Sequence, residues 1–439
     1  MRGQLDSKLP EFDDERLEEL LGVVKRRSRR LRSRRRLTSL VAAGVAVALV
    51  AAFAGGLGVT HATRSPGRVM EGSAQRATAP HWRLVGDVGV GWHAITTPAN
   101  EKGFFLTCPV VGTCYAEGAT PAGSSQGSTV VDVTTDGGST WTQGALPADV
   151  ESGSPITCVD GSTCAFLGMD SSGNAVFLET SDGGNNWTSV AGPEQLTDAS
   201  EIAGASCTSA ASCLALASVS ADGSSYAFQT ADGGATWSDS ELPAGFVPIG
   251  LECIGTASCT STGFEEPPAG SDAGPVGAAI YSTDGGASWH AAALPDGTGP
   301  VNAMACDPSS DCVATYVSGD SSSQSAVLTS TDAGRSWTDA GATGLPSSFV
   351  SDVACPSSSE CVVAGLMTVT TGNATAVADA QGLIATTSDE GQSWHSQPLP
   401  DGVGPVERIS CADSADCYAL AFQPSASGRG SFVLLSDGP

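Results

Sequence analysis

Residues 281–290, YSTDGGASWH, have the composition of a tight turn between two β-strands. Close copies of this stretch occur five more times in the chain, as TTDGGSTW, TSDGGNNW, TADGGATW, STDAGRSW and TSDEGQSW. In each copy the Asp can accept hydrogen bonds from N–H groups of its own turn, and the Gly two positions later can adopt a positive φ. The Trp can anchor the turn by burying a large apolar surface. A catalytic site needs one constellation of groups, so six equivalent copies predict a structural role.

These turns belong to a unit of about 50 residues that repeats from residue 82 onward, the scale of one propeller blade. Each unit contains two strands joined through a Cys-x5-Cys segment, a third strand before the Asp turn, and a fourth strand that begins with Trp. An apolar residue stands two positions before each first Cys and is expected to pack between blades. These residues are Leu106, Ile156, Ala205, Leu251, Met304, Val353 and Ile409.

The two ends of the repeat region complete each other. Residues 431–439, SFVLLSDGP, provide a third strand and the first part of an Asp turn, whereas residues 81–88, HWRLVGDV, provide a Trp-led fourth strand. Pairing of these ends would close the ring and so remove the exposed sheet edges that an open array of blades would have. The sequence therefore predicts an all-β fold over residues 81–439, a seven-bladed β-propeller of four-stranded antiparallel blades. The predicted turn aspartates are Asp136, Asp182, Asp232, Asp284, Asp332, Asp389 and Asp437.

The six turns resemble the Asp-box (BNR) repeat, Ser/Thr-x-Asp-x-Gly-x-x-Trp, of sialidases, some endoglucanase propellers, sortilin-type receptors and photosystem II assembly-factor propellers. The resemblance covers about residues 82–439 and implies the fold, since these boxes occur in proteins of unrelated activity. In the enzymes of this group the boxes lie on the periphery, away from the active site. A typical sialidase is not expected, because such an enzyme needs three converging arginines. Only four arginines lie in the ring, and two of them, Arg83 and Arg335, fall on its periphery.

The 14 cysteines form seven Cys-x5-Cys pairs, which suggests disulfides formed in an oxidising compartment. Zinc sites are the alternative, but they favour short CxxC-type spacings and only five His are present. We therefore expect no metal and no cofactor. The predicted disulfides are Cys108–Cys114, Cys158–Cys164, Cys207–Cys213, Cys253–Cys259, Cys306–Cys312, Cys355–Cys361 and Cys411–Cys417.

Charge is distributed very unevenly along the 439 residues. Residues 1–36 contain 12 of the 20 Lys and Arg residues, which leaves 8 bases against 40 acids in the remainder. Residues 37–59 carry no charge, and 23 residues of helix at about 1.5 Å each can cross a bilayer. The positive-inside rule then places the N-terminus in the cytoplasm and the acidic body outside the cell membrane. Nucleic acid is not expected as a partner of so acidic a body.

The N-terminal region is expected to comprise a basic cytoplasmic segment with a short amphipathic helix (1–36), a single-pass signal anchor (37–59) and a flexible stalk (60–80). The alternative for the apolar segment is a signal peptide cleaved after Ala62. Against cleavage, the apolar run is longer than the usual region of about 7–15 residues.

A binding site is expected on the face opposite the Asp boxes, where variable loops such as residues 263–278 and 365–383 are predicted. Its candidate residues are Glu265, Glu266, Asp352, Glu407 and Arg408. The predicted function is a binding or scaffolding module for a protein or glycan ligand. The alternative is a carbohydrate-active enzyme that uses two carboxylates on the same face.

Overall fold

The computed structural model describes residues 82–87, 105–119, 129–147, 150–196, 201–219, 224–267, 274–318, 325–341, 343–346, 348–371, 374–424 and 430–437. Within these residues, seven antiparallel sheets are formed by 29 strands. The same residues contain no helix that is long and apolar enough to span a membrane. The predicted cytoplasmic segment, anchor and stalk lie outside the described residues.

The first described strand is β1 (Arg83–Asp87). Blade 1 contains β2 (Phe105–Val110), β3 (Thr113–Ala119), β4 (Thr129–Thr134) and β5 (Thr142–Gln143). Blade 2 contains β6 (Val150–Gly153), β7 (Thr157–Cys158), β8 (Cys164–Asp170), β9 (Ala175–Thr180) and β10 (Thr188–Ala191). Blade 3 contains β11 (Glu201–Cys207), β12 (Cys213–Val219), β13 (Ser224–Thr230) and β14 (Ser238–Glu241).

Blade 4 contains β15 (Phe246–Ile254), β16 (Ser258–Glu265), β17 (Val276–Ser282) and β18 (His290–Ala291). Blade 5 contains β19 (Val301–Cys306), β20 (Cys312–Val317), β21 (Ser325–Ser330) and β22 (Thr338–Gly341). Blade 6 contains β23 (Ser348–Ala354), β24 (Cys361–Thr371), β25 (Ala374–Thr387) and β26 (His395–Ser396). Blade 7 contains β27 (Val406–Asp413), β28 (Asp416–Pro424) and β29 (Gly430–Ser436), together with β1.

Blade 7 is closed by both ends of the repeat region, as the sequence predicts. Its strand order is β1-β29-β28-β27, and β1 pairs antiparallel with β29 from Arg83 opposite Ser436 to Asp87 opposite Val433. Trp82 precedes β1 and is almost completely buried. The first strands of neighbouring blades also contact one another all the way round, including β2 with β27. They therefore surround the central channel of a closed seven-bladed propeller.

The hydrophobic core consists of separate clusters between adjacent blades. Leu106 of blade 1 packs with Leu420 and Leu434 of blade 7, and Ile409 of blade 7 packs with Val362 of blade 6. Six of the seven apolar residues that precede the first cysteines by two positions are buried, and the seventh, Ala205, is partly buried against its neighbouring cluster. This position packs between blades, as expected.

One predicted loop is instead a long hairpin. Residues 365–383 of blade 6 were expected to form a variable loop, but β24 and β25 remain paired as far as Thr371 opposite Ala374. Thr and Val alternate with small residues in this stretch, so it can continue the ladder beyond the body of the blade. The loop is thereby reduced to the tip of this hairpin.

Candidate binding site on the inner strands

The Asp boxes use their polar groups within their own turns. In blade 4 the Asp284 carboxylate accepts hydrogen bonds from the Ser282 hydroxyl (2.7 Å), the Ser288 N–H (2.9 Å) and the Ser288 hydroxyl (2.6 Å). The bonds from Ser288 and Ser282 lower the pKa of Asp284 to about 2. The other five boxes bind their aspartate through an equivalent hydroxyl and N–H. These groups hold the turns in shape.

Each box is also tied to the cysteine hairpin of its own blade. The N–H of Gly285 donates to the Ala257 carbonyl (2.8 Å), and in blade 5 the N–H of Ala333 donates to the Ser310 carbonyl (2.9 Å). The next residue must be Gly because it lies against the neighbouring blade. A Cβ on Gly286, whose φ is 96°, would lie 2.8 Å from a methyl carbon of Leu214. Boxes and cysteine hairpins therefore share one face of the ring, which we call the Asp-box face.

All seven predicted disulfides are present, and each bridges the hairpin between the innermost strand and the next strand of its blade, in blade 2 between β7 and β8. Their Cα atoms are 4.0 to 4.1 Å apart, and residues such as Cys207 and Cys213 lie directly opposite each other in the ladder. The described part of the chain contains no free cysteine.

Asp437 is not the counterpart of the box aspartates, contrary to the sequence prediction. Ser436 lies opposite Tyr418 in blade 7, whereas in blade 1 Val133 lies opposite Tyr115. In the ladder of blade 7, Asp437 therefore stands two positions before the place of a box aspartate. It occupies the place that Thr134 has in blade 1. Its N–H donates to the Cys417 carbonyl (3.0 Å), which continues the strand ladder.

The inner strands share an irregularity that directs polar groups between blades. One extra residue bulges from β11, β15, β19, β23 and β27, four positions before the first Cys of the blade. In blades 5 and 6 the bulged residues are Asn302 and Ser351, and they donate to the carbonyls of Val350 and Val406 in the following blade. Bulges of this kind redirect side chains. Here they connect neighbouring inner strands.

Three of the predicted site residues come together where blades 6, 7 and 1 meet. Asp352 of β23 accepts hydrogen bonds from its neighbour Val353 (3.0 Å) and from the N–H of Ile409 in β27 (2.9 Å). Glu407 is the bulged residue of β27, and Arg408 follows it. The Arg408 guanidinium carbon lies 5.2 Å from the centre of the Phe105 ring in β2, within the range of a cation–π contact. We call Asp352, Glu407, Arg408 and Phe105 the inner-strand cluster.

The positive charge of Arg408 does not offset the effect of burial on the carboxyl groups of Asp352 and Glu407. Burial raises the pKa of Asp352 although Arg408 and two N–H groups favour its ionised form. Burial also raises the pKa of Glu407, again with Arg408 opposing the rise. Both carboxyl groups are only partly exposed. An additional positive charge at this cluster would therefore be favourable.

A further carboxyl group of the inner strands, Glu252 of β15, is absent from the sequence prediction. Burial raises the pKa of Glu252 to about 7, and the charge of Asp352, two blades away around the ring, adds to the rise. Only one feature of the sequence distinguishes Glu252 as a candidate site residue. Glu252 directly precedes Cys253, and the other blades have Thr, Ser or Ala at this position, namely Thr107, Thr157, Ser206, Ala305, Ala354 and Ser410.

The remaining predicted residues, Glu265 and Glu266, lie elsewhere. Glu265 ends β16, the second strand of blade 4, and both side chains are exposed. They belong to the rim opposite the Asp-box face, away from the innermost strands that carry the cluster. Within the described residues, no group of three or more His, Cys, Asp or Glu side chains could hold a metal ion.

Comparison with solved structures supports the Asp-box propeller resemblance at the level of the fold. YCF48 from Cyanidioschyzon merolae matches with a TM-score of 0.53 and 15% identity, over 82% of this chain and 99% of that one. A GH74 xyloglucanase from Xanthomonas campestris matches with a TM-score of 0.49 and 13% identity, over 81% and 55% of the two chains. A Trypanosoma rangeli sialidase matches with a TM-score of 0.39 and 12% identity, over 76% and 55%.

Of these three similarities, the one to YCF48 exceeds a TM-score of 0.5, so the chain is similar in fold to that propeller, and an identity of 15% carries no activity with it. No family model matches the sequence, and a search of curated proteins finds no match. Any function must therefore be argued from the residues of this chain.

Proposed function

We propose that this protein is a membrane-anchored, extracytoplasmic binding module that receives a basic group of a protein ligand at its inner-strand cluster. The observation that carries the proposal is the charge imbalance there. Burial keeps the pKa values of Asp352 and Glu407 raised, although the charge of the single guanidinium of Arg408 lowers both. A lysine or arginine side chain of a ligand would complete the neutralisation, and bringing it in would lower both pKa values again.

The neighbouring groups suit such a ligand. Arg408 is held over Phe105 and by its hydrogen bond to the Glu407 carbonyl (2.8 Å), so it is positioned without either carboxylate as its direct hydrogen-bond partner. The carboxylates therefore remain available to a second cation. The acidic balance of residues 37–439 would also attract a basic protein from a distance at low ionic strength.

The proposed location rests on the sequence. The basic segment 1–36 followed by the uncharged segment 37–59 has the arrangement of a signal anchor, with the propeller outside the membrane. The seven disulfides support an oxidising compartment for the propeller.

A capture experiment with matched variants tests this proposal. The full-length chain is used as bait in solubilised membranes, and its partners are identified by mass spectrometry. The double variant Asp352→Asn/Glu407→Gln should capture the ligand at least tenfold less than the wild type, whereas Glu265→Gln/Glu266→Gln, which removes two charges from the rim, should capture it normally. Equal capture by both variants would exclude the inner-strand cluster as the site.

A carbohydrate-active enzyme is the second candidate, and one observation favours it. Glycoside hydrolysis commonly uses a carboxylic acid with a raised pKa together with an ionised carboxylate. Burial raises the pKa of Glu252 to about 7, as such an acid requires, and Asp352 is the carboxyl group whose charge acts on it. In that case a panel of glycosides should reveal turnover that falls at least a hundredfold in Glu252→Gln. Absence of turnover across the panel would remove this candidate and leave the binding module unaffected.

A further inference from the structure

Exposed apolar side chains of the Asp-box face are concentrated on two adjacent blades. Val110 and Val111 lie at the cysteine hairpin of blade 1 and are 41% and 63% exposed, and Val159 lies at that of blade 2 and is 42% exposed. The two hairpins touch, since a Cβ added to Gly161 would lie 2.7 Å from a methyl carbon of Val110. We call Val110, Val111 and Val159 the valine patch. Among the described residues only two other large hydrophobic side chains are comparably exposed.

The other cysteine hairpins do not continue this patch. Their inner residues are mainly polar in blades 3, 5, 6 and 7, with the sequences TSAAS, DPSSD, PSSSE and ADSAD, against PVVGT and VDGST in blades 1 and 2. Blade 4 has IGTAS, and its Ile254 is partly buried against the neighbouring hydrophobic cluster. The patch is therefore confined to one sector of the ring. That sector adjoins blade 7, because β2 of blade 1 contacts β27.

The N-terminal segment joins the propeller on the same face and beside the same sector. Arg83, the first residue of β1, pairs with Ser436, and the next residue, Asp437, lies level with the Asp boxes. β1 therefore begins at the Asp-box face of blade 7. Residues 60–81 separate this point from the apolar segment 37–59, and a flexible chain of this length has an average span of about 26 Å.

We propose that the valine patch contacts the lipid surface to which residues 37–59 anchor the protein, an inference that rests on the proposed membrane anchoring. The exposed areas of these three residues together equal about one and a half fully exposed valines. A stable contact between two copies needs an interface of about 1,000 Å² or more, which is far larger. A weak contact is sufficient for a tethered surface, because the linker keeps its local concentration high.

The negative charges of the Asp-box face indicate which lipid headgroups the contact favours. The hairpin of blade 2 and the adjoining boxes contain Asp160, Asp136 and Asp182, and hydrogen bonds within their own turns lower the pKa of each. Anionic headgroups would be repelled, so the contact should be strongest on a zwitterionic surface such as phosphatidylcholine.

Site-specific photocrosslinking of the full-length chain in phosphatidylcholine vesicles tests this inference. The photoreactive residue benzoylphenylalanine replaces Val111 or, as the matched control, Val276, which is 55% exposed at the start of β17 and at the opposite end of its blade. Lipid adducts at position 111 should exceed those at position 276 at least fivefold. Replacement of half of the lipid by phosphatidylglycerol should lower the yield at position 111 at least twofold.

The outcomes separate the two proposals. If the chain floats with the vesicles but position 111 forms no more lipid adducts than position 276, the lipid contact is refuted while the anchoring stands. Adducts between two copies of the chain at position 111 refute it in favour of self-association. If the chain does not float with the vesicles, the anchoring and the lipid contact are refuted together.

Discussion

Replacement of Glu252 by Gln should remove a pH-dependent loss of stability from the propeller. The pKa of Glu252 in the folded protein is about 7, against an ordinary value of 4.5, so folding favours its protonated form. A pKa raised in this way contributes stability that is fully present below pH 4.5 and is lost as the pH rises through 7. Gln keeps the shape of the protonated acid and cannot ionise. The variant should therefore lack this loss.

The magnitude follows from the size of the pKa change. A rise from 4.5 to about 7 corresponds to about 3.4 kcal/mol, at about 1.4 kcal/mol for each tenfold change in the ionisation constant. Water reaches part of the Glu252 side chain, and screening reduces the effect to about 2–3 kcal/mol. Glu252→Gln should exceed the wild type in free energy of unfolding by this amount at pH 8, and the two proteins should differ by less than about 0.5 kcal/mol at pH 4.

Guanidinium chloride unfolding of the full-length chain in detergent, followed by tryptophan fluorescence, measures this difference. All 8 Trp residues lie between positions 82 and 394, so the signal reports on the propeller region. Glu265→Gln is the matched control, since it removes an exposed carboxyl from the same blade. The reasoning is refuted if Glu252→Gln and the wild type lose the same stability between pH 4 and pH 8. Asp352→Asn should reduce the wild-type loss, because the charge of Asp352 contributes to the raised pKa.

Three further predictions concern stability, each measured by the same unfolding assay at pH 7. The paired variant Cys253→Ala/Cys259→Ala should lose about 2 kcal/mol by the loop-entropy estimate for so short a loop, and no loss would mean that the bridge is dispensable. Glu117→Leu should gain about 1–3 kcal/mol, because within the described residues the buried Oε2 of Glu117 has no hydrogen-bond partner; a destabilised variant would contradict this. Gly286→Ala should lower the free energy of unfolding by more than about 2 kcal/mol. Gly183→Ala should lower it by only about 1 kcal/mol, because a Cβ there meets nothing closer than 4.0 Å. Equal losses would show that the contact with Leu214 does not matter.

The architecture was predictable because its signals are local and repeated. Each Asp box contains all the groups that its turn needs within a few residues, as the bonds of Asp284 to Ser282 and Ser288 illustrate. Each cysteine pair likewise bridges a separation of 6 residues. The closure of blade 7 was predictable for a different reason, since the chain has a fourth strand without a third at one end and the converse at the other.

The parts of the site that were missed depend on pairings that a sequence does not display. The raised pKa of Glu252 comes first from burial and then from the charge of Asp352, a residue 100 positions away in the sequence and two blades away around the ring. The place of Asp437 depends on the register between β28 and β29, and the motif Ser-Asp-Gly suggested the wrong alignment by two positions. Glu265 and Glu266 were grouped with Glu407 because all are acidic, yet they occupy different strands and different depths of the blade.

The pairing of β1 with β29 imposes an order on assembly. Disulfides and Asp boxes lie within single blades, so each of them can form as soon as the strands of its own blade are present. β1 is the first described strand in the sequence, yet it pairs only when the last one is present, because within the described residues its ladder partner is β29. Until β29 is in place, Trp82 lacks Val433 and Leu435, the β29 side chains of its hydrophobic cluster. The ring is therefore finished in a single late step, by the two described strands that lie farthest apart in the sequence.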